Sequence, residues 1–489
     1  MIPGLLILIP LVSGLLTFFI KKDSSARLGS LVAVVATLVV SVAGLTFAKD
    51  AANLSFDAEW LPALGSRFTV TLDGMGQLLC LLTALAFPLI FIATWNTTYP
   101  NANRFYAFML LSQAGLMGVF LATDALLFYF FWELALIPAY FLCSTWGGEK
   151  RIAVTFKFFI YTFLGSLLML VALIYIYFQT PGDHSFALKS FYELSLKPDQ
   201  QSWLFWMLFI AFAIKMPLFP FHTWQPDTYE QSPTATTMVL SGIMVKMGVF
   251  AVIRWLAPIV PGGLWGWGDT VAFLSMVGMI YASLLAMQQD DMKRLIAYSS
   301  IAHIGLMNLA IFSTTNAGMQ GVMIQMFNHG INIIGMWIVV EIIERKYHTR
   351  KMSELGGLAQ KAPGLAILFV VIALANVALP LTNAFIGEFL MFTGVFTSNV
   401  SQFNYIYTVV AGISIILSAI YTLNMIQKVF FGNTNSVTAA ATDIRPNEKW
   451  VLAVIVVLII VLGVYPQPIL NLTEGTVNSI LSKMITKHP

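Results

Sequence analysis

The sequence predicts an all-α polytopic membrane protein, and three observations lead to this fold class. Only 10% of the 489 residues are charged and 58% are hydrophobic, whereas soluble domains carry about 25% charged residues because their surfaces face water. The mean hydropathy of the chain is +0.81. The apolar residues form continuous runs of about 18 or more, as membrane-spanning helices do, and not the short alternating segments of a transmembrane β-barrel.

Counting these runs along the chain predicts about fourteen transmembrane helices. The expected extents are 2–20, 28–47, 78–98, 105–122, 125–146, 153–178, 203–222, 233–255, 271–287, 295–312, 318–343, 365–396, 404–426 and 450–466. The run 365–396 is too long for one straight span of roughly 20 residues. Because Pro380 lies in its middle, we interpret this run as a broken helix.

Ten of these helices are predicted to form two inverted five-helix repeats. Helices that start near 105, 125, 153, 203 and 233 are followed by five with similar spacing, and Pro217 and Pro380 fall in the matching fourth helices. Because five is odd, the second copy enters the membrane upside down. Inverted repeats with broken helices are typical of ion and substrate transporters, although similar spacing can also arise by chance. The predicted segments are 1–104, 105–257 (first repeat), 258–430 (second repeat) and 431–489.

The distribution of Lys and Arg predicts the orientation in the membrane. Alternate loops, beginning after the first span, contain seventeen of the 26 basic residues, and the opposite loops contain seven. Positive loops are cytoplasmic, so an even number of helices leaves both termini on the periplasmic side. The first apolar run precedes Lys21 and Lys22, the reverse of a secretory signal, which predicts an uncleaved first span. With no targeting signal evident, we expect a bacterial inner membrane.

Several function classes are excluded by what the sequence lacks. Cys80 and Cys143 stand alone within apolar runs, without the spacing of a zinc or iron–sulfur site. A basic stripe of the kind that nucleic-acid binding requires is also missing. We therefore expect no metal, no cofactor and no nucleic acid on this chain.

Six ionisable residues lie inside predicted spans, where a charge at a helix centre costs roughly 2.5–3.5 kcal/mol. They are Glu133, Lys215, Lys246, His303, His329 and Glu388. Burial favours the neutral form of each group, and a nearby opposite charge favours the charged form. Histidine titrates near neutrality and suits a relay. The set therefore predicts a path that passes protons along Glu, Lys and His side chains.

The predicted helix breaks lie among these residues. Pro217 has no N–H, so we expect the carbonyl of Ala213 to lack its helical partner beside Lys215. Pro380 has the same effect in the second half. His222, seven residues after Lys215, is a secondary candidate that extends the path toward the cytoplasm.

Other interpretations of these residues stay open at this point. Glu133 and Lys215 could form a purely structural ion pair, Lys246 could reach the membrane surface, and Glu388 could be a carboxylate at a helix end. Either histidine could be a hydrogen-bonded packing residue. Haem ligation by His303 and His329 is a specific rival, but b-type bundles usually place paired histidines on each of two helices.

Four segments resemble one known family. They read FWELALIP, FAIKMPLFPFHTWQPDTYEQSP, SGIMVKMGVFAVIR and DDMKRLIAYSSIAHIGLM. These segments are similar to the antiporter-like subunits of respiratory complex I, whose relatives are the large subunits of multisubunit sodium/proton antiporters and membrane-bound hydrogenases. The resemblance spans nearly the whole chain and implies fourteen helices with two inverted five-helix repeats.

Within that family, the sequence resembles the M-type branch. The L- and N-type subunits carry a lysine on the second broken helix where the M-type carries a glutamate, and Glu388 stands there in IGEF. The chain also ends soon after the last span, without the lateral helix of the L-type, and YPQP at 465–468 is similar to the final M-type segment. The resemblance implies L- and N-type subunits as partners.

The resemblance also implies a role for each buried residue. Glu133 and Lys215 match the ion pair of the family, Lys246 its central lysine and Glu388 its terminal residue on the exit side. His303 and His329 match its connecting histidines. The chain departs from the family in two places, which are Gln225–Tyr229 after the first break and the usual glycines near Pro380, replaced by Ala378, Leu381 and Asn383.

The expected function is that of a proton-translocating membrane-arm subunit of NADH:quinone oxidoreductase. Redox chemistry elsewhere in the complex would drive it, and the flavin and iron–sulfur clusters would belong to partner subunits. The alternative is a subunit of a multisubunit sodium/proton antiporter or of an ion-pumping hydrogenase.

Overall fold

The computed structural model describes residues 1–46 and 51–485. Its N-terminal part contains four helices and one β-hairpin. These elements are α1 (Ile2–Thr17), α2 (Asp23–Thr46), α3 (Ala51–Leu54), β1 (Ser55–Leu61), β2 (Ser66–Thr71) and α4 (Gly74–Ala93). The two strands are antiparallel, and a short 3₁₀ turn (Pro62–Leu64) followed by Gly65 connects them.

The middle of the chain contains eight helices. They are α5 (Ala102–Leu121), α6 (Ala125–Trp146), α7 (Arg151–Gln179), α8 (Leu188–Glu193), α9 (Pro198–Lys215), α10 (Trp224–Gln231), α11 (Thr234–Val239) and α12 (Val245–Ala251). Two π-helical segments, Leu240–Met244 and Val252–Leu256, follow α11 and α12. One continuous helix therefore runs from Thr234 to Leu256.

The last part of the chain contains nine helices. They are α13 (Pro261–Met287), α14 (Met292–Phe312), α15 (Asn316–Tyr347), α16 (Leu358–Lys361), α17 (Pro363–Asn376), α18 (Asn383–Phe396), α19 (Asn404–Phe430), α20 (Pro446–Val464) and α21 (Gln467–Ile485). A 3₁₀ turn, Met352–Glu354, precedes α16.

Within the described ranges, eleven helices are long and apolar enough to span a membrane, and α1, α17 and α18 are shorter apolar helices. This bears out the prediction of a helical, multi-pass membrane protein. The count of fourteen, the inverted repeats and the segment boundaries remain predictions. The helix α9 ends at Lys215 and the next helix begins at Trp224, while α17 ends at Asn376 and α18 begins at Asn383. Pro217 and Pro380 lie in these two interruptions.

Two elements depart from the sequence prediction. Between the second and third predicted spans, where the sequence predicts no element, the chain forms the β1–β2 hairpin. The expected C-terminal tail forms α21, whose buried side chains recur every three or four residues (Ile469, Thr473, Val477, Ile480 and Met484). An amphipathic helix of this kind has too many polar residues to register as an apolar run.

The burial of the helices separates an interior group from an outer group. The helix Thr234–Leu256, α14 and α15 are buried over nearly their whole length, whereas α2, α7, α19 and α20 expose most of theirs. The interior helices carry Lys246, His303 and His329. These three ionisable side chains therefore lie in the protein interior and not at the lipid-facing surface.

Candidate functional site

Lys246 lies in the fully buried helix Thr234–Leu256, two residues after a π-helical turn. Its side chain is completely buried, and its ammonium Nζ lies 2.8 Å from the backbone carbonyl of Ser241. A π-turn shifts the backbone hydrogen bonds from the α-helical pattern, and such turns are frequent at functional sites. The Ser241 carbonyl here accepts a hydrogen bond from the lysine side chain, which stabilises the ammonium away from water.

The second partner of Lys246 is His329 on α15. The Nζ atom lies 2.8 Å from the imidazole Nδ1 of His329. Because a protonated lysine can only donate, Nδ1 is then the acceptor and the proton of the neutral ring is on Nε2. Within the described residues, that Nε2 atom has no hydrogen-bond partner. It is therefore free to donate to a water or to a neighbouring ring.

The two predicted histidines face each other. The ring centroids of His303 and His329 are 5.5 Å apart, with an angle of 54° between the planes. His303 Nδ1 in turn lies 3.2 Å from Oε1 of Glu388 on α18, and both side chains are buried. The structure thus brings four of the six predicted residues into one row, Lys246–His329–His303–Glu388, built from four different helices.

A small cavity adjoins the far end of this row. His303 and Glu388 line it together with Ser414, Ser418 and Tyr421 of α19. Its volume of about 10 Å³ is near the minimum that holds one water molecule, which also needs two to four polar partners. The hydroxyl groups of α19 supply such partners beside the carboxylate.

The expected ion pair between Glu133 and Lys215 is not formed at salt-bridge distance among the residues that the structure describes. Lys215 Nζ has no hydrogen-bond partner there, nor has Oε1 of Glu133. The ammonium instead lies 5.5 Å from the centroid of the Trp132 ring, which is a cation–π contact. Lys215 is buried and Glu133 only half-buried, so the two charges lie in different surroundings.

The first break corrects one expectation from the sequence. The carbonyl of Ala213 does have a partner, because the N–H of Leu218 donates to it at 2.8 Å. The indole Nε1 of Trp224 donates to the carbonyl of Ile214 at 2.9 Å. The backbone at the end of α9 is therefore satisfied by the peptide that follows the proline and by one aromatic side chain.

His222, the secondary candidate, is buried at the same break but lies apart from the row. Its ring packs against Phe219 and Tyr281, with centroids 5.7 and 5.4 Å away. Across the described part of the chain its Nδ1 has no hydrogen-bond partner. The structure gives His222 aromatic neighbours and no contact with the other candidate residues.

The second break is held by asparagines. Asn332 and Asn383 exchange two side-chain hydrogen bonds of 3.0 Å, and Asn328 Nδ2 donates to the backbone carbonyl of Asn383 at 2.7 Å. Ala378 and Leu381 have φ values of +57° and +73°, in the left-handed region that favours glycine. Two of the three positions where the family usually has glycine thus keep a glycine-like backbone with other side chains.

Asn328 and Asn332 are functional candidates that the sequence reasoning missed. They lie on the same helix as His329, where the polar residues Gln325, Asn328, His329 and Asn332 recur at i, i+3, i+4 and i+7. That spacing places them on one face of the helix. A polar stripe on an otherwise buried apolar helix was therefore the signal that could have found them.

A cluster of salt bridges joins α10, after the first break, to α7 and α14. Asp227 lies 2.8 Å from Lys157 and 3.1 Å from Arg294, and Arg294 also contacts Glu230 at 2.7 Å. Burial alone would raise the pKa of Asp227, but the hydrogen bonds and charges of Lys157 and Arg294 outweigh it and hold that pKa below its usual value. Asp227 on α10 thus forms salt bridges to both α7 and α14.

No group of three or more His, Cys, Asp or Glu residues that could hold a metal ion occurs in the described ranges. The row consists of one ammonium, two imidazoles and one carboxylate within a helical membrane bundle. These features are typical of one class of protein, the membrane proteins that transport ions.

Comparison with known proteins identifies the family. Residues 122–422 match the sequence family described as NADH:quinone oxidoreductase/Mrp antiporter, transmembrane. The NADH-quinone oxidoreductase subunit M of Rickettsia prowazekii is 36% identical, with 98% of each chain covered. The F(420)H(2) dehydrogenase subunit M of Methanosarcina mazei is 34% identical over the same share of each chain.

A solved structure agrees with this assignment. A chain of respiratory complex I from Thermus thermophilus superposes with a TM-score of 0.91 at 29% identity, covering 99% of this chain and 100% of that one. The present chain belongs to the NADH:quinone oxidoreductase/Mrp antiporter family. The prediction of an M-type antiporter-like subunit is thereby confirmed.

Proposed function

We propose that this chain is a proton-translocating membrane-arm subunit of a respiratory complex of the complex I type. The observation that carries the proposal is the row of contacts from Lys246 through His329 and His303 to Glu388. Each member can hold or release a proton, and the row lies in helices that are shielded from lipid. Such groups persist inside a membrane where they serve transport.

The geometry supports a sequence of proton transfers. A proton on Lys246 has His329 Nδ1 as its acceptor at 2.8 Å. Protonation at Nδ1 releases the proton on Nε2, so the ring passes a proton from one side to the other. From His329 the proton crosses to His303 through a water or a ring rotation, because the centroids are 5.5 Å apart. Glu388 then receives it from His303 across 3.2 Å.

The relatives support a role in ion movement and not in electron transfer. One relative is a subunit M of an NADH-quinone oxidoreductase and another is a subunit M of an F(420)H(2) dehydrogenase. The two relatives are nevertheless about equally similar to this chain, at 36% and 34% identity. Two complexes with different electron donors thus share this type of subunit. We infer that the donor, the flavin and the iron–sulfur clusters belong to partner subunits, and that L- and N-type subunits are neighbours in the membrane arm.

The chemistry of the row favours protons over sodium, the ion of the alternative antiporter function. Sodium, a hard cation like calcium and magnesium, is expected to prefer oxygen ligands. The row offers two imidazoles, one ammonium and a single carboxylate. A proton suits nitrogen and oxygen groups alike.

We also propose a bacterial inner membrane with both termini on the periplasmic side. The charge bias of the loops supports that orientation. Both terminal regions also lie at the same end of the bundle as the β-hairpin. Met1 contacts the carbonyl of Asn53 next to the hairpin, β2 contacts Thr123, and Lys483 of α21 lies over the ring of Tyr192.

The test replaces the central lysine with an uncharged side chain of similar length. In inside-out membrane vesicles that contain the complex, Lys246→Met is expected to lower substrate-driven proton translocation at least about tenfold, because a positioned acid–base group typically contributes about 10²–10⁴-fold. Lys428→Met, at an exposed position at the end of α19, is the matched control. Assembly of the complex is measured in both variants by native gel electrophoresis.

Unchanged translocation in an assembled Lys246→Met complex would contradict the proposal. The sodium alternative is tested in the same vesicles by omitting sodium and by adding a sodium ionophore. Translocation that requires sodium, or that rises when sodium leaks freely, would favour the antiporter function. Equal rates in all of these conditions support direct proton translocation.

A further inference from the structure

The start of α18 is attached to α15 by three asparagines. Asn332 Nδ2 donates to Asn383 Oδ1 and Asn383 Nδ2 donates to Asn332 Oδ1, each at 3.0 Å. Asn328 Nδ2 donates to the Asn383 carbonyl at 2.7 Å. All three side chains are completely buried. We call this set the amide clamp.

Part of the clamp has an evident structural purpose. Asn383 is the first residue of α18, where the backbone returns to the helical ladder after the break. Asn328 donates an additional hydrogen bond to the Asn383 carbonyl. The N–H of Ala384 donates to Asn383 Oδ1 at 2.8 Å, so one of the free N–H groups at the start of the helix has a partner. The reciprocal pair between Asn332 and Asn383, however, joins side chain to side chain and satisfies no backbone carbonyl. Its effect is to fix the position of α18 relative to α15.

The clamp lies close to the reactive groups on both helices. Asn328 and Asn332 flank His329 within one turn of α15, and Glu388 follows Asn383 by five residues on α18. A helix rises 1.5 Å per residue, so Glu388 lies about 7.5 Å along the axis from the clamp. A shift of the start of α18 therefore moves the Glu388 carboxylate by a similar amount.

Close helix contact gives this arrangement its rigidity. The backbone of α18 at Gly387 and Met391 lies against Gly321 of α15, where an added Cβ would clash. The two helices thus approach closely just beyond the clamp. With one point of contact at Gly321 and another at Asn332, α18 cannot rotate or slide without breaking one of them.

We propose that Asn328 and Asn332 are positioning residues, which hold the carboxylate of Glu388 against His303 by fixing the start of α18 on the same turn of α15 that carries His329. The amide clamp thereby links the second helix break to His329 directly and to His303 through Glu388. This inference deepens the proposed function, since its consequence for proton transfer rests on the row of contacts.

The test measures the accessibility of Glu388 in the assembled complex. A hydrophobic carbodiimide forms a stable adduct with buried protonated carboxyl groups, and mass spectrometry measures the adduct at Glu388 and at Glu133 of the same chain. Asn332→Leu removes the reciprocal pair at similar side-chain volume. The ratio of labelling at Glu388 to labelling at Glu133 is expected to rise at least about fivefold, the factor that corresponds to one net hydrogen bond.

The matched control is Asn308→Leu on α14. Asn308 is also completely buried and donates one hydrogen bond, to Ser275 Oγ at 2.9 Å, but it lies outside the clamp. A general loosening of the protein would raise labelling at Glu133 and Glu388 alike in either variant. A ratio in Asn332→Leu equal to that of the unaltered chain and of Asn308→Leu would overturn the proposal.

A second variant decides the matter if Asn332→Leu fails to assemble. Asn328→Leu removes one hydrogen bond and leaves the reciprocal pair, so the ratio is expected to rise by a smaller factor, and an unchanged ratio again overturns the proposal. The labelling experiment does not depend on proton translocation. A raised ratio together with normal translocation in Lys246→Met would leave the clamp standing while the proposed function fails.

Discussion

The two helix breaks of this protein follow a similar sequence pattern but differ in their electrostatics. At the first break, α9 ends at Lys215, whose ammonium has no hydrogen-bond partner in the described part of the chain. At the second break, the amide clamp holds α18, and Glu388 contacts His303 at 3.2 Å. A buried charge without a partner is costly. In the described ranges, the first break contains an ammonium with no carboxylate within salt-bridge distance, whereas the carboxylate at the second break has an imidazole nitrogen 3.2 Å away. Neither Lys215 Nζ nor Glu388 Oε1 has a hydrogen-bond partner among the described residues.

This difference suggests that the row and the first break have different roles. Lys246, the two histidines and Glu388 already lie in one row, and only the step between the two histidines needs a water or a ring rotation. Lys215 ends the helix before the first break and Glu133 lies on α6, and these two side chains need to move before they can pair. We infer that the first break is the part whose electrostatic state changes during the working cycle, and that the row responds to it.

The largest expected effect comes from interrupting the row at its middle. His329→Leu removes the side chain that contacts Lys246 and lies beside His303, so substrate-driven proton translocation in vesicles is expected to fall at least about tenfold. His222→Leu is the matched control, because this buried histidine lies apart from the row. It is expected to retain at least about half of the activity. If proton translocation falls equally in the two variants, the loss comes from replacing a buried histidine in general and not from interrupting the row.

The next effect contrasts the two lysines by stability. Lys215→Met removes an ammonium without a hydrogen-bond partner, so it is expected to stabilise the protein by about 1–2 kcal/mol, since an unpaired buried charge is unfavourable. Lys246→Met leaves the Ser241 carbonyl and His329 without their donor and is expected to destabilise it by about 1–3 kcal/mol. Thermal unfolding of the purified protein in detergent compares both with the unaltered chain. A destabilised Lys215→Met would mean that Lys215 is paired in solution, and the contrast between the breaks would disappear.

The sequence alone predicted the burial of the ionisable residues better than the contacts between them. Hydropathy shows that Glu133, Lys215, Lys246 and Glu388 lie deep in their spans, because a span has a nearly fixed length. It does not show the rotation of one helix relative to another. The contact of His303 with Glu388 and the separation of Glu133 from Lys215 depend on that rotation, so the sequence could not distinguish them.

The local backbone was predictable only in part. Pro217 and Pro380 indicate interruptions, because proline cannot donate a hydrogen bond. The replacement partner of the Ala213 carbonyl, the N–H of Leu218, depends on how the chain turns after the proline. The π-turn before Lys246 has no simple sequence signal either. The β-hairpin and α21 were missed because a search for apolar runs overlooks elements that are half polar.

The smallest expected effect tests the backbone of the second break. Leu381 has a φ of +73°, which costs a non-glycine residue about 1–3 kcal/mol, and its side chain is largely exposed. Leu381→Gly relieves this strain but adds freedom to the unfolded chain, which offsets about 0.4–1 kcal/mol. The net expectation is a stabilisation of up to about 2.5 kcal/mol, measured as an increase in the thermal unfolding temperature. Leu379→Gly is the control, because Leu379 is also exposed but does not have a positive φ. That variant is expected to be destabilised by about 0.5–1 kcal/mol, and a stabilisation of both variants would mean that the left-handed backbone at Leu381 is not the cause. A destabilised Leu381→Gly variant would instead show that the backbone of the second break is not strained at this position. The two breaks would then differ only in their charges.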